Sequence, residues 1–341
     1  LTNLTIALDM MGGDIGPPVT LEAAVHAVTE FPHLHLILCG DPQALNEGLA
    51  KYPQAPSSQL QIEPTEQVVG MDERPSTALR SKNKSSMRRA LELVESGQAD
   101  ACVSAGNTGA LLAMAYYVLK TLPGIDRPAL ISSLPTISHR KVYLLDLGAN
   151  VNCDSEILFQ YAVMGSVLAE EVEGMERPRV ALLNVGEEQI KGNDQVKHTA
   201  QILSSVPSIN YIGYIEGNDI FTDKADVVVT DGFVGNIALK ACEGLGKLIF
   251  TEVKRVSGKN LFTRIMARMA LPILKKIYAR VNPDQYNGAS LIGLRGIVVK
   301  SHGNASSEAF LYAIKEAMQE VTRQVPSKIK HKIETLLMER P

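Results

Sequence analysis

Apolar residues fall into two kinds of run along this chain. Short stretches rich in β-branched residues and leucine carry few polar interruptions. They are LTIALDM (4–10), LHLILCG (34–40), QLQIEP (59–64), ACVSAG (101–106), PALISSL (128–134), KVYLLDLG (141–148), RVALLNVG (179–186), INYIGYI (209–215), ADVVVTDG (225–232) and RGIVVKSHG (295–303). Between them lie segments with helical spacing, including 17–30, 76–97, 108–120, 155–172 and 236–256. Unbroken apolar strands alternating with helices predict an α/β fold, doubly wound and mainly parallel, covered by helices on both faces. No repeat, low-complexity tract or linker divides the 341 residues, so one large α/β domain with room for two lobes is expected over 1–341. KYPQAPSS (51–58) and the Asn/Gly-rich NPDQYNGA (282–289) read as loops.

The strand ends carry the chemistry. Six of them run into glycine with small polar or charged residues and then into a helix: DMMGGD (9–14), SAGNTGA (104–110), DLGANVN (146–152), NVGEE (184–188), DGFVGN (231–236) and KSHGNAS (300–306). In a doubly wound sheet such turns are expected to share the carboxyl edge, where open α/β sheets bind ligands. Glycine lets backbone approach a ligand closely, and each following helix start suits an anion. The candidate ligand-binding residues are Asp9, Gly12, Gly13, Asp14, Ser104, Gly106, Thr108, Gly109, Asn150, Asp231, Gly232, Gly235, Lys300 and Ser301.

Several function classes drop out. No GxGxxG follows a strand, no GxxxxGK[ST] occurs and no GxSxG elbow is present. The GLGKL at 244–248 lies inside a helical pattern. Lys plus Arg is 34 against 37 for Asp plus Glu, a net charge of −3, and only 5% of residues are aromatic. Neither the charge nor the ring content suits nucleic acid. Cys39, Cys102, Cys153 and Cys242 are scattered, without the spacing of a metal site, and no signal peptide is read at the start. A reducing cytoplasm is therefore expected. Residues 101–119 are uncharged, but only 110–119 are continuously apolar, too few to span a bilayer.

Residues 254–280 depart from this balance. They hold Lys254, Arg255, Lys259, Arg264, Arg268, Lys275, Lys276 and Arg280 and no acid, a local charge of +8 against −11 for the remainder. Leu261, Phe262, Ile265, Met266 and Met269 share one helical face, and Ile273, Leu274, Ile277 and Tyr278 form another after Pro272. Pro272 is where the helix should kink or break. A basic amphipathic segment suits an anionic membrane surface or an acidic partner, and equally packing on the core or on a second subunit.

The motifs ALDMMGGD, RPSTALRSKNKSSMRRALELV, CVSAGNTGALLAMA, LDLGANVNCDS, ALLNVGEEQIKGND, VVVTDGFVGNIALKACEG and NPDQYNGASLIGLRGIVVKSHGNAS, spread from about 6 to 306, together resemble the phosphate:acyl-carrier-protein acyltransferase family (PlsX). The resemblance implies a sheet fold similar to isocitrate dehydrogenases and phosphotransacetylases, and a homodimer. It implies transfer of a fatty acyl chain from acyl carrier protein to inorganic phosphate, giving acyl phosphate for phospholipid synthesis. The product would feed a membrane glycerol-3-phosphate acyltransferase (PlsY). The enzyme would be cytoplasmic and peripherally membrane-associated, with no metal and no other cofactor.

For that chemistry the donors are Asn107, Lys191, Asn236 and His302. Lys191 can neutralise phosphate or an oxyanion, or be a plain surface lysine. Asn107 and Asn236 can donate to an oxygen or simply cap helices. His302 can protonate a departing thiolate or be structural. Asp9 and Asp14 beside phosphate are electrostatically wrong unless they orient lysines or backbone N–H groups. Glu187 and Glu188 can position Lys191. Arg264, Arg268, Lys275 and Lys276 are the expected carrier or membrane contacts. An isocitrate-dehydrogenase-like oxidoreductase and a non-catalytic membrane scaffold for lipid enzymes are the alternative functions.

Overall fold

The apolar runs become strands and the periodic segments become helices in the computed structural model, which describes residues 3–257, 266, 268–270, 272, 273, 276 and 287–339. The strands are β1 (Leu4–Asp9), β2 (Leu34–Gly40), β3 (Leu60–Pro64), β4 (Ala101–Ser104), β5 (Ala129–Pro135), β6 (Lys141–Leu145), β7 (Val180–Leu183), β8 (Tyr211–Ile215), β9 (Val227–Val229), β10 (Ala289–Ile292) and β11 (Ile297–Lys300). The helices are α1 (Pro17–Glu30), α2 (Pro42–Leu49), α3 (Pro75–Ser81), α4 (Ser86–Glu95), α5 (Thr108–Leu119), α6 (Ser155–Glu173), α7 (Asp194–Ser204), α8 (Gly232–Ser257), α9 (Ser307–Arg323) and α10 (Val325–Glu339).

Local chemistry sets many of the boundaries. Pro17 and Pro18 open α1, where a missing N–H costs nothing. Asp154 caps α6, and Gly174 ends it at φ 68. The single helix expected over 76–97 is two, α3 and α4. Ser85 breaks it by pairing with Gln67 as a bridge and then capping α4 through the Arg88 N–H.

The eleven strands of the described residues form one sheet in the order β3-β2-β1-β4-β11-β10-β5-β6-β9-β7-β8. Alternation along each strand divides the core. Ala7, Cys102, Val298, Leu130, Leu144 and Val228 pack on one face with α4 and α5. Ile6, Val103 and Val299 face α1 and α9 on the other side. Tyr143, Leu145 and Val229 likewise face α6 and α10. Each fully buried Leu or Ile contributes about 1.5–3 kcal/mol.

One expectation is corrected by the pairing. Three consecutive pairs, β11–β10, β10–β5 and β5–β6, are antiparallel. Strand direction therefore reverses between β11 and β6. The six glycine corners do not share one edge. Those after β1, β4 and β11 lie at one end of the strands, and those after β6, β7 and β9 at the other. Within each set the strands are neighbours in the sheet, β1-β4-β11 and β6-β9-β7.

Candidate active site: two groups of glycine corners joined by a helix

The first group is built on one row of the sheet. Asp9 pairs with Ser104, and Ser104 with Lys300, so the last residues of β1, β4 and β11 stand side by side. Asp9 is buried and accepts Ser86 Oγ and Ser104 Oγ, each at 2.6 Å. Burial raises its carboxyl pKa, while the two serines and the backbone of Met11 and Gly12 act in the opposite direction. Asp9 thus organises its own turn, and Ser104 Oγ in turn accepts the Gly106 N–H at 3.0 Å. Gly12 is required by contact: a Cβ there would lie 2.5 Å from Asp9 Oδ2 and 2.8 Å from Gly106 N. Asp14 joins the β1 and β11 corners through its N–H, which donates to Gly303 O at 2.7 Å.

Lys300 is the unusual group here. Its side chain is buried, and Nζ donates to the carbonyls of Ala105 (3.4 Å) and Ser301. Among the described residues it forms no ion pair. Burial brings its pKa down to about 8, the charges of Asp9 and Asp14 oppose that fall, and Lys240 adds to it. Ala105, one of its acceptors, lines a small pocket of about 10 Å³ together with Gly12, His302, Gly303, Thr20 and Phe310.

Neighbouring residues hold this corner in shape. Asn107 caps α5 by accepting the Ala110 N–H at 3.0 Å, and its amide donates to the carbonyls of Met71 (2.8 Å) and Glu73 (3.0 Å). Its side chain is therefore committed to the helix and to the loop at 70–73. Thr108 is exposed at the start of α5, with Gly109 beside it. Ser301 Oγ accepts Asn287 Nδ2 at 2.8 Å, and Asn287 Oδ1 accepts the His302 N–H at 2.9 Å. Ser86 and Asn287 escape the sequence reading. The Asn-Gly pair at 287–288 marks a turn there, and nothing in its local pattern marks Asn287 as a clamp on the distant β11 corner.

The second group is built around Asp146. Its Oδ1 accepts the N–H groups of Leu130, Gly148 and Ala149 at 3.0–3.2 Å. Its Oδ2 accepts the Asn150 N–H at 2.6 Å and Asn150 Nδ2 at 3.3 Å. Burial raises the Asp146 pKa, and these donors act against the rise. Asn150 Nδ2 also donates to Pro128 O and to the Tyr161 hydroxyl, so it too is a structural clamp. The Gly232 N–H donates to Asn150 O at 2.8 Å, and a Cβ at Gly235 would collide with the Asp146 carbonyl.

Asp231, not Asn236, caps α8, through the Val234 N–H at 2.8 Å. Asn236 lies one turn inside the helix, exposed over Gly148, with a side chain that forms no hydrogen bond among the described residues. Lys191 is exposed in the loop after β7, the strand next to β9. Its backbone is held by Glu188 O and Asn184 Nδ2, and its amine is unpaired among the described residues. Glu187 does not position it, because that carboxylate pairs with Lys224 at 2.8 Å.

Helix α8 runs from the second group to the first. Glu243 Oε1 lies 4.0 Å from His302 Nε2, and Glu243 Oε2 accepts Lys240 Nζ at 2.8 Å. Lys240 and Glu243 are further residues the sequence reading missed, since KACEG reads as an ordinary helix surface. Of the basic segment, Arg268 and Lys276 are exposed, and Arg264 and Lys275 lie outside the described residues. Among the described residues no three His, Cys, Asp or Glu side chains could hold a metal ion. No helix among them is long and apolar enough to cross a membrane.

A family model described as fatty acid synthesis protein matches residues 4–328. A phosphate acyltransferase of Pseudoalteromonas atlantica is 62% identical over 340 residues, covering 100% of both chains. One of Colwellia psychrerythraea is 58% identical over 339 residues, covering 98% of this chain and 97% of its own. In structure the chain is similar to a phosphotransacetylase from Streptococcus pyogenes, with a TM-score of 0.66 over 94% of each chain at 16% identity. That last likeness shows the shared fold. The end-to-end identity shows more: the chain belongs to the phosphate acyltransferase (PlsX) family of fatty acid synthesis proteins, and it is an enzyme that transfers acyl groups to phosphate.

Proposed function

We propose that the acyl donor is the thioester of acyl carrier protein, that inorganic phosphate attacks it directly, and that the acyl phosphate formed serves phospholipid synthesis. The observation that carries this reading is Lys300, a buried amine with only carbonyl partners among the described residues, one of which, Ala105, lines a small pocket with Gly12 and Gly303. A buried cation without a counter-ion is costly, and an anion arriving there repays the cost.

In this scheme phosphate sits among Gly12, Gly13, Gly106, Lys300 and His302. The oxygens of Asp9 are taken up by hydroxyls and backbone N–H groups, which offset part of its charge. The thioester lies along the start of α8, and Asn236 there and Lys191 in the loop after β7 offer donors that no side chain among the described residues uses. A phosphate oxygen bonds to the carbonyl carbon, and the resulting oxyanion is met by these donors. The C–S bond then breaks and the thiolate takes a proton from His302. A thiol leaving group with a pKa near ~8.5 needs little acid assistance. No covalent acyl-enzyme is required. Orientation can supply about 7–11 kcal/mol, and one oxyanion donor about 3 kcal/mol.

Acyl carrier protein is small and acidic, so the basic 254–280 segment suits it, and an anionic membrane surface equally. Both attractions weaken with salt. A homodimer fits the apolar residues Phe233, Ile237, Leu245, Leu248 and Ile249 exposed along α8. Peripheral attachment at the cytoplasmic membrane would place the product beside a glycerol-3-phosphate acyltransferase (PlsY). The test is thioester loss from acyl carrier protein that depends on inorganic phosphate, with acyl phosphate trapped by hydroxylamine. Phosphate-independent loss, or an acylated protein intermediate, contradicts the reading.

A further inference from the structure

We propose that Lys240 of α8 is a second phosphate-binding lysine, facing Lys300 so that phosphate is clamped between the sheet and the helix. The inference rests on the phosphate-transfer reading above and adds a residue to that site.

Three relationships place it. Glu243, one turn further along α8, approaches His302 at 4.0 Å, which brings this stretch of the helix beside the β11 corner. Lys240 is paired with the same Glu243 at 2.8 Å, so it shares that corner. Its charge opposes protonation of Lys300, which sets the two amines within electrostatic reach of each other. Two lysines from segments 60 positions apart in sequence thus converge on one glycine-lined mouth.

The acids at this corner are already engaged. Asp9 is saturated by two hydroxyls and by backbone N–H groups. Asp14 is exposed, and Glu243 is divided between Lys240 and His302. The carbonyls on Lys300 bring no charge. An oxyanion placed between the two amines can accept from both. Lys240 then exchanges Glu243 for phosphate, and Glu243 stays with His302.

The helix gains from the exchange. Only Gly232 and Gly235 of α8 are buried, both at its start, and Leu239 is a partly buried neighbour of the core. Beyond that point the contact to the β11 corner is polar. Phosphate held by both lysines would fasten the middle of α8 to the sheet, coupling occupancy of the phosphate site to the position of the helix that carries Asn236.

The test compares Lys240→Gln, Lys240→Arg and the control Lys247→Gln, the same charge change two turns further along the exposed surface of α8. Initial rates are measured with inorganic phosphate and the acyl donor varied in turn, and amide exchange across 236–243 is followed with and without inorganic phosphate. The expected result is a phosphate KM raised about tenfold in Lys240→Gln, a donor KM within twofold, and substantial recovery in Lys240→Arg. Phosphate should slow exchange in the unaltered protein and in Lys247→Gln, and not in Lys240→Gln. A phosphate KM within twofold of the unaltered enzyme, or a donor KM that rises equally, overturns the assignment. An unaltered protein that consumes thioester without phosphate overturns the functional reading instead, and the exchange measurement then still decides whether Lys240 holds phosphate.

Discussion

The Ser104 hydroxyl donates to Asp9 Oδ2 at 2.6 Å, and on the next strand the same row of the sheet ends in Lys300. A carboxylate, a hydroxyl and an amine thus stand in line across β1, β4 and β11, with Ser104 between the two charged groups. The hydroxyl also accepts the Gly106 N–H, so it ties the carboxylate to the glycine turn. Removing it leaves a buried carboxylate oxygen and a backbone N–H short of partners. Ser104→Ala should destabilise the fold by about 1–3 kcal/mol in thermal or denaturant unfolding. A stability equal to that of the unaltered protein would show that Ser86 and the backbone suffice.

Lys300 should trade stability for function. Lys300→Met removes a buried cation that lacks an ionic partner among the described residues, so unfolding free energy should be unchanged or higher, while the phosphate KM rises at least tenfold. Loss of both stability and activity would mean that the amine is a structural tie between Ala105 and Ser301.

The pH dependence of that site follows from the same amine. Its pKa is lowered to about 8, below the usual lysine range near 10.5. Between those values the unfolded chain binds more protons than the folded one, so this group's contribution makes stability rise with pH there. Phosphate affinity should move the other way, weakening above about pH 8 as the amine loses its charge. Steady-state kinetics from pH 7 to 9.5 should show the phosphate KM climbing, and the climb should vanish in Lys300→Met.

Glu320 gives the opposite stability slope. It is buried on α9, and burial, helped by Glu316, pushes its carboxyl up to about 8. The folded protein therefore holds a proton that the unfolded chain releases above about 4.5, and stability should fall as pH rises from 4.5 to 8. Glu320→Gln keeps the shape without the charge and should flatten that fall, with a gain of about 1–3 kcal/mol at pH 8. An unaltered slope would place the titration elsewhere.

Two glycines of α8 should respond very differently to a methyl group. Gly235→Ala drives a Cβ into the Asp146 carbonyl and should cost more than about 3 kcal/mol, whereas Gly244, with nothing within 4 Å, should gain up to about 1 kcal/mol as alanine. The side chain of Asn236, one position beyond Gly235, makes no hydrogen bond among the described residues, so Asn236→Ala should leave stability within about 0.5 kcal/mol and lower kcat by about 10²–10³. Unfolding midpoints and kcat for the three variants check these together.

Much of this architecture is visible in the amino-acid pattern. Ten strand positions follow from apolar runs, because the inner strands, buried on both faces, need no polar alternation. β10 does not, since Ala289–Ile292 offers four residues behind an Asn-Gly turn. Strand direction is also silent in sequence. A period of two is the same read either way, so the reversal across β10 and β5 separates corners that look alike as glycine turns. Asp9 shows the limit for sites. Its neighbours in sequence mark a glycine turn, but Ser86 and Ser104, which occupy its oxygens, arrive from other elements. Asn107 and Asn150 likewise read as free donors until their amides are traced to distant carbonyls.

The central claim is that phosphate lies at the β1-β4-β11 corners against Lys300. Diffraction from crystals equilibrated with inorganic phosphate tests it most directly. The account predicts a phosphate at these corners with an oxygen about 3 Å from Lys300 Nζ. Phosphate bound instead beside Lys191 in the loop after β7, with the Lys300 corner empty, would contradict it.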